Sequence, residues 1–437
     1  MTLAAPGRGP ALALVAPFFL AAPLGLALAG LILAFSNGDT LLAINAPRTV
    51  ALTHAAVIGW LTMGIFGAVY QLGPAVLGGR LVSSRLARVH FFVHATVVPA
   101  FVWTFWQWDV RLMGYAASGL VLSFILFLIN AFPAIGTLRR GALPARYLGA
   151  SLVMLAVTAG FGITWAGTLQ HLWFPVTMGR LAGHAHLGLL GWLGLTLMGV
   201  AYQLAPMFNV VQRKRPVAGG PILALTVTAA LGGGLVLMAD PGPWVRLAVA
   251  AAMAAGPGAW GIEMLRLMLA RSRRTLDVQG RATFVSLGFL VVTICLGLLA
   301  AIGKPVSPGH EPTRLLLGYG IAGVSGWAGI MLIGNSYKIL PFLVWYHRYR
   351  QLAGIRPVPV VADIYSEGAA RAVLAVHTTG TIVAIAGALL GDLNILRAGG
   401  LMLTLGAALH MVSLAHIVLA PHAPAPRRIG PGEVATR

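Results

Sequence analysis

Apolar runs of roughly 20 residues, the length a helix needs to cross a bilayer, recur along the whole chain and are separated by short polar breaks. The pattern predicts spans near 11–35, 49–76, 86–106, 112–134, 147–169, 182–207, 217–239, 244–268, 282–302, 315–341, 369–391 and 397–420. In segments of this kind only helices satisfy their own backbone polar groups within hydrocarbon. The expectation is an all-α polytopic membrane protein of about 12 transmembrane helices, forming one membrane domain over residues 1–437.

Composition narrows the class. Of the 437 residues 58% are hydrophobic and 9% charged, against roughly 25% charged in soluble domains. A soluble enzyme, a disordered chain and a secreted disulfide scaffold are excluded. The single cysteine, Cys295, excludes an internal disulfide, a zinc ribbon and a cysteine-ligated iron–sulfur cluster.

The net charge of +20 raises the question of a nucleic-acid partner, and the placement of the charges answers it. Alternate loops are basic: Arg80, Arg85 and Arg88; Arg139, Arg140 and Arg146; Arg213, Lys214 and Arg215; Arg271, Arg273, Arg274 and Arg281; Arg348, Arg350, Arg356 and Arg371; then Arg427, Arg428 and Arg437 in the tail. The other loops hold one or two basic residues, usually near an acid, as Asp109 with Arg111 or Asp392 with Arg397. The positive-inside bias then puts both termini in the cytoplasm and makes the span count even, as expected for a multi-pass protein of the inner (cytoplasmic) membrane. No basic cluster has the aromatic interleaving of a nucleic-acid surface, so the charge reads as topology and contact with anionic lipid. Arg8 before an apolar run imitates a secretory signal, but Ala11 to Phe35 is too long for a signal core and is expected to remain as a span.

A threefold repeat underlies the spans. Span two carries His54, Gly59, Trp60, Gly67, Tyr70, Gln71, Leu72 and Pro74; span six carries His186, Gly191, Trp192, Gly199, Tyr202, Gln203, Leu204 and Pro206, every match offset by 132. Span ten gives Gly326, Trp327, Gly334, Tyr337, Lys338, Ile339 and Pro341 at a further offset of 135, with Ile321 where the histidine would stand. A four-span unit therefore appears three times, roughly 40–170, 171–302 and 303–420, with span one completing the bundle. Packing accounts for the glycines, interfacial placement for Trp and Tyr, and a helix end near the cytoplasm for the prolines. It accounts less well for His54 and His186, since an imidazole in hydrocarbon must find partners.

Twelve helices in three pseudo-symmetric four-helix arcs, with corresponding second, sixth and tenth helices, resemble subunit I of the heme-copper oxidases and their nitric-oxide-reductase relatives. The likeness is most specific over 54–74 and 180–206. It implies that His54 matches a helix-two heme ligand and His186 a helix-six copper ligand, with His184 beside it, and that a b-type heme, or copper or zinc, is bound. It also implies a role in respiration or nitric oxide metabolism beside other respiratory subunits. The Pro17–Leu20 stretch is similar to membrane proteins of the nitric-oxide-stress response. The departures are specific: 217–239 and 315–341 lack histidine, and Leu190 replaces a tyrosine that some members carry. The oxygen-reducing centre is therefore expected to be missing.

The remaining buried histidines form a second candidate group for metal. His90 and His94 are four apart and share a helix face, His377 lies on span eleven and His410, with His416, on span twelve. His184 and His186, two apart, are not expected to share a face. His94 and His377 are expected to be pseudo-symmetric. For all of these, structural hydrogen bonding, ligation and a proton or ion relay remain open. Lys338 is expected to snorkel to the interface or to take up protons, and Glu263 to pair with Arg266 or Arg271. His171, His310, His347 and His422 belong to loops or tails, and His171 near Trp173 is a candidate lid. Three functions stay in contention: a heme- or metal-binding protein on the oxidase scaffold, an active oxidoreductase with an unusual ligand set, and a transporter or channel whose repeats lie about an axis along the membrane normal.

Overall fold

A computed structural model describes residues 11–38, 45–135, 142–211, 216–272, 275–303 and 311–422. Arg8, Arg139, Arg140, Arg213, Lys214, Arg215, Arg273, Arg274, His310, Arg427, Arg428 and Arg437 lie outside these residues. Among the described residues twelve helices are long and apolar enough to cross a membrane. They are α1 (Leu12–Phe35), α2 (Pro47–Val76), α3 (Ser84–Gln107), α4 (Val110–Ala131), α5 (Leu143–His171), α6 (Met178–Phe208), α7 (Gly219–Leu237), α8 (Pro243–Leu269), α9 (Val278–Ile302), α10 (Thr313–Arg348), α11 (Glu367–Leu390) and α12 (Leu393–Leu419).

Each expected span is one of these helices, and the shifts at the ends have local causes. α6 begins at Met178 because Thr177 caps it, its side chain accepting from the Arg180 N–H at 3.3 Å. α2 and α6 end two residues after their repeat prolines, whereas α10 runs through Pro341 to Arg348. Its last turn is held from outside: Arg348 donates to the Ala420 carbonyl beyond α12, and the Trp345 indole donates to the Pro359 carbonyl at 2.7 Å.

The first helix of each unit stands at the centre. In α2, α6 and α10, 67%, 89% and 67% of the apolar window is buried, against 22–61% in the other nine. Glycine makes this possible by close approach. A Cβ added at Gly67, Gly199 or Gly334 would sit 2.9 Å from Phe18, 2.4 Å from Tyr147 and 2.4 Å from Ala282 respectively. The helices that press there, α1, α5 and α9, are the ones preceding each central helix.

At the axis all three central helices widen into π winding at matching places: Ala55–Thr62, Leu187–Gly194 and Ala322–Gly329. The offsets are again 132 and 135. The three segments touch one another and interlock cyclically through the repeat tryptophans. The Trp192 indole N–H donates to the Thr62 hydroxyl at 3.0 Å. Trp327 lies against Gly194, and Trp60 packs so closely on Gly329 that a Cβ there would sit 2.2 Å from the ring. Thr62, Gly194 and Gly329 are one station of the repeat, so each tryptophan seats on the same position of a neighbouring unit.

Candidate functional site

His54 is the last residue before the π winding of α2, and His186 the last before that of α6. Both rings are fixed in the same way. Nδ1 of His54 bonds the Val50 carbonyl at 2.8 Å, and Nδ1 of His186 bonds the Ala182 carbonyl at 2.8 Å. A carbonyl oxygen only accepts, so Nδ1 carries the proton in each ring and Nε2 keeps a lone pair. His54 is held further by Phe105, stacked at 5.2 Å and 9°, and by Phe101, edge-on at 5.2 Å.

His54, His184 and His186 line one cavity of about 350 Å³, together with Trp60, Trp192 and Tyr319. His184 lies in electrostatic range of His54, and its ring fits against Gly162, where a Cβ would come 3.4 Å from Cε1. His184 and His186, two apart and not expected to share a face, both line this cavity. His186 differs from His54 in one respect. Its Nε2 accepts from the Tyr319 hydroxyl of α10 at 3.1 Å, and the two rings stack at 5.9 Å. Among the described residues Nε2 of His54 has no hydrogen-bond partner. Beyond the His186–Tyr319 pair lies a second cavity of about 480 Å³, among α6 to α10.

The second candidate group does not converge. His90 bonds the Tyr70 hydroxyl through Nδ1 at 3.0 Å, and His94 bonds Ser123 through Nδ1 at 2.9 Å and the Ile58 carbonyl through Nε2 at 3.3 Å. His377 bonds the Ser325 carbonyl through Nε2 at 3.0 Å, and His410 bonds the Ser336 hydroxyl at 3.0 Å. Each ring is buried among aromatic and small side chains. These four rings fall in two separate units, and His90, His377 and His410 each keep one buried ring nitrogen without a hydrogen-bond partner. The logic of the bonds is visible in the acceptors. Ile58 and Ser325 are the same station of the repeat, inside the π segments of α2 and α10. A π turn shifts the i→i+4 ladder and leaves carbonyls poorly served, and His94 and His377 supply the missing donor. The pseudo-symmetry expected for this pair is present at the level of the bond.

Lys338 reaches the end of α9: its Nζ lies 2.5 Å from Asp277, the residue that caps that helix, with the side chains only 15% and 11% exposed. Glu263 is held by the Tyr202 hydroxyl at 2.6 Å and by backbone N–H groups of Val217 and Ala218 at the start of α7. Of the two expected arginines, Arg266 lies in electrostatic range of Glu263, while Arg271 donates to the Met268 carbonyl. His171 stacks on Trp173 at 5.5 Å. Sequence reasoning missed Tyr319, whose only signal was its position two residues before Ile321 on the third central helix.

Among the described residues no three His, Cys, Asp or Glu side chains gather as a group able to hold a metal ion. Copper and zinc sites need several convergent protein ligands, which this arrangement does not supply. A heme iron needs one or two axial nitrogens, and His54 fits that demand: fixed tautomer, oriented ring and an unpartnered Nε2 at a cavity within the roughly 300–1,000 Å³ range of cofactor pockets. No protein-family model matches this chain, and no curated protein matches it.

Proposed function

We propose that this protein is a divergent relative of the heme-copper oxidase membrane subunit that binds a b-type heme through His54. The observation that carries the reading is the Nδ1–H bond of His54 to the Val50 carbonyl, the outer-shell contact that commonly fixes a ligating imidazole and raises its basicity. The three-unit architecture about α2, α6 and α10 supports the same reading. His186 is the second position, with its Nε2 engaged by Tyr319. Bound heme would supply reversible one-electron chemistry and an open face for small ligands. This chain's residues orient the ring of His54, keep its proton on Nδ1 and enclose the cavity with apolar side chains. The role that follows is binding, sensing or assembly in respiration or nitric oxide metabolism, without a complete dinuclear centre.

Orientation belongs to the same proposal. Only seven of the thirty Lys and Arg residues fall in, or in the first helical turns just after, loops that follow odd-numbered spans. The positive-inside bias puts those loops outside the inner membrane, the termini inside, and the His54 cavity in the outer half.

A visible spectrum with iron analysis on gently solubilised full-length protein tests the proposal. The expected result is a Soret band with near-stoichiometric iron, lost in His54→Ala and retained with altered position in His186→Ala. Protein lacking both the band and the iron overturns the reading.

A further inference from the structure

The second cavity is the larger of the two and is not needed by the heme proposal. At one end stand Asp240 and Arg246, at the loop that joins α7 to α8; at the other stand Pro257 of α8 and Leu290 of α9. Pro257 lies fourteen residues from the start of α8 at Pro243, and Leu290 twelve from the end of α9 at Ile302. At a rise of ~1.5 Å per residue the cavity runs about 20 Å into the bundle, which is more than one leaflet of a ~30 Å hydrocarbon core.

The wall chemistry selects what fits. Most of the lining is aliphatic, and Gly320 faces open space where a Cβ would touch nothing within 4 Å. The polar pair at mid-depth, His186 and Tyr319, is satisfied internally and demands no polar guest. Arg246 at the mouth donates to the Pro241 carbonyl at 3.2 Å and the Gly303 carbonyl at 2.8 Å, using two of the five N–H donors a guanidinium carries. Asp240 is occupied by the Gly179 N–H at 2.8 Å. The slot is thus mostly apolar along its length, with the Arg246 guanidinium beside the Asp240 carboxylate at one end. Apolar cavities of this kind stay dry and take apolar guests, and an unfilled void destabilises the packing around it.

We propose that the slot binds the chain of a single-chain amphiphile, a fatty acid or one acyl tail of a membrane lipid, with its oxygen-bearing head at Arg246. The occupant is defined by the length of the slot and the one-ended polarity of its walls.

Photolabelling of the full-length protein in phosphatidylcholine vesicles tests this without reference to heme. One arm uses a fatty acid with a mid-chain diazirine, the other a phosphatidylcholine with the same group in one acyl tail. Peptide mapping is expected to place label on Met253 and Leu290, inside the slot. Ala254→Phe, which fills it, is expected to lower that label about tenfold, and the smaller Ala250→Leu to lower it less. Ala251→Phe, on the exposed side of α8, serves as the folding control and is expected to leave it unchanged. The arm that labels the slot more strongly identifies the source, and Arg246→Gln is expected to weaken it. Label confined to the lipid-facing Ile262 and Val291, equal in wild type and Ala254→Phe, overturns the proposal whatever the visible spectrum shows.

Discussion

His94 shows how a buried histidine is assigned by its partners and not by its neighbours in sequence. Both ring nitrogens are engaged, Nδ1 with Ser123 and Nε2 with the Ile58 carbonyl, so ligation would require breaking a bond that the π segment of α2 depends on. His94→Ala leaves that carbonyl without its donor and opens a void. Leaving a buried acceptor unsatisfied costs about 1–3 kcal/mol, and the void adds to it. His94→Gln keeps an N–H donor of similar reach and is expected to recover part of the loss. Thermal unfolding of the solubilised protein at one detergent composition measures both. A glutamine variant no more stable than the alanine variant would show that the donor role is wrong. Bound iron per protein should be unaffected by His94→Gln, in contrast to His54→Ala. The sequence marked His94 as a buried imidazole with one face in common with His90, but its partners were illegible. One is a main-chain oxygen, which has no residue type, and the other is a serine 29 positions away.

At the scale of elements, the hydrophobic pattern located all twelve helices because membrane spans are written in composition over about 20 residues. It located the central trio as well, because the glycines, tryptophans and tyrosines of three units keep constant offsets. It did not disclose the π winding, since a widened turn leaves the apolar run unchanged. It did not disclose the Lys338–Asp277 pair either, formed between residues 61 apart where the other units have glutamine. The interlock of the π segments makes a sharp claim about Gly329. Its φ of −66° is ordinary for a helix, so alanine would be accepted on backbone grounds and is even the better helix former. The obstacle is Trp60, 2.2 Å from where the Cβ would lie. Gly329→Ala is therefore expected to destabilise by about 1–3 kcal/mol through overpacking, while Gly320→Ala, facing open space, is expected to be near neutral. Trp60→Phe combined with Gly329→Ala should cost less than the sum of the single changes, a coupling that a double-mutant cycle in unfolding measurements reads directly. Additive effects would mean that the two residues do not share the contact.

The whole molecule has a polarity that its threefold repeat does not contain. The cavity histidines stand near one end of the bundle, where His54 is seven residues, roughly 10 Å, from the start of α2 at Pro47. The basic loops stand at the other end, where Arg80, Arg146, Arg281, Arg350 and Arg356 follow even-numbered spans or precede odd ones. If insertion follows positive charge, His54 and the mouth of the second cavity at Arg246 face away from the cytoplasm, and any ligand reaches them from the outer side. The chain offers a clean way to establish this, because Cys295 is its single thiol. In a Cys295→Ser background, Leu172→Cys reports on the loop between α5 and α6, where the residue is 84% exposed, and Ile355→Cys reports on the loop between α10 and α11, where it is 80% exposed. A membrane-impermeant maleimide is expected to label position 172 in intact cells with the outer membrane removed, and position 355 only after permeabilisation. The reverse pattern would place the cavities in the cytoplasmic half and transfer ligand access to that side. Labelling of both positions from one side would contradict the assignment of α6 to α10 as five crossings, an odd number that must put the two positions on opposite sides.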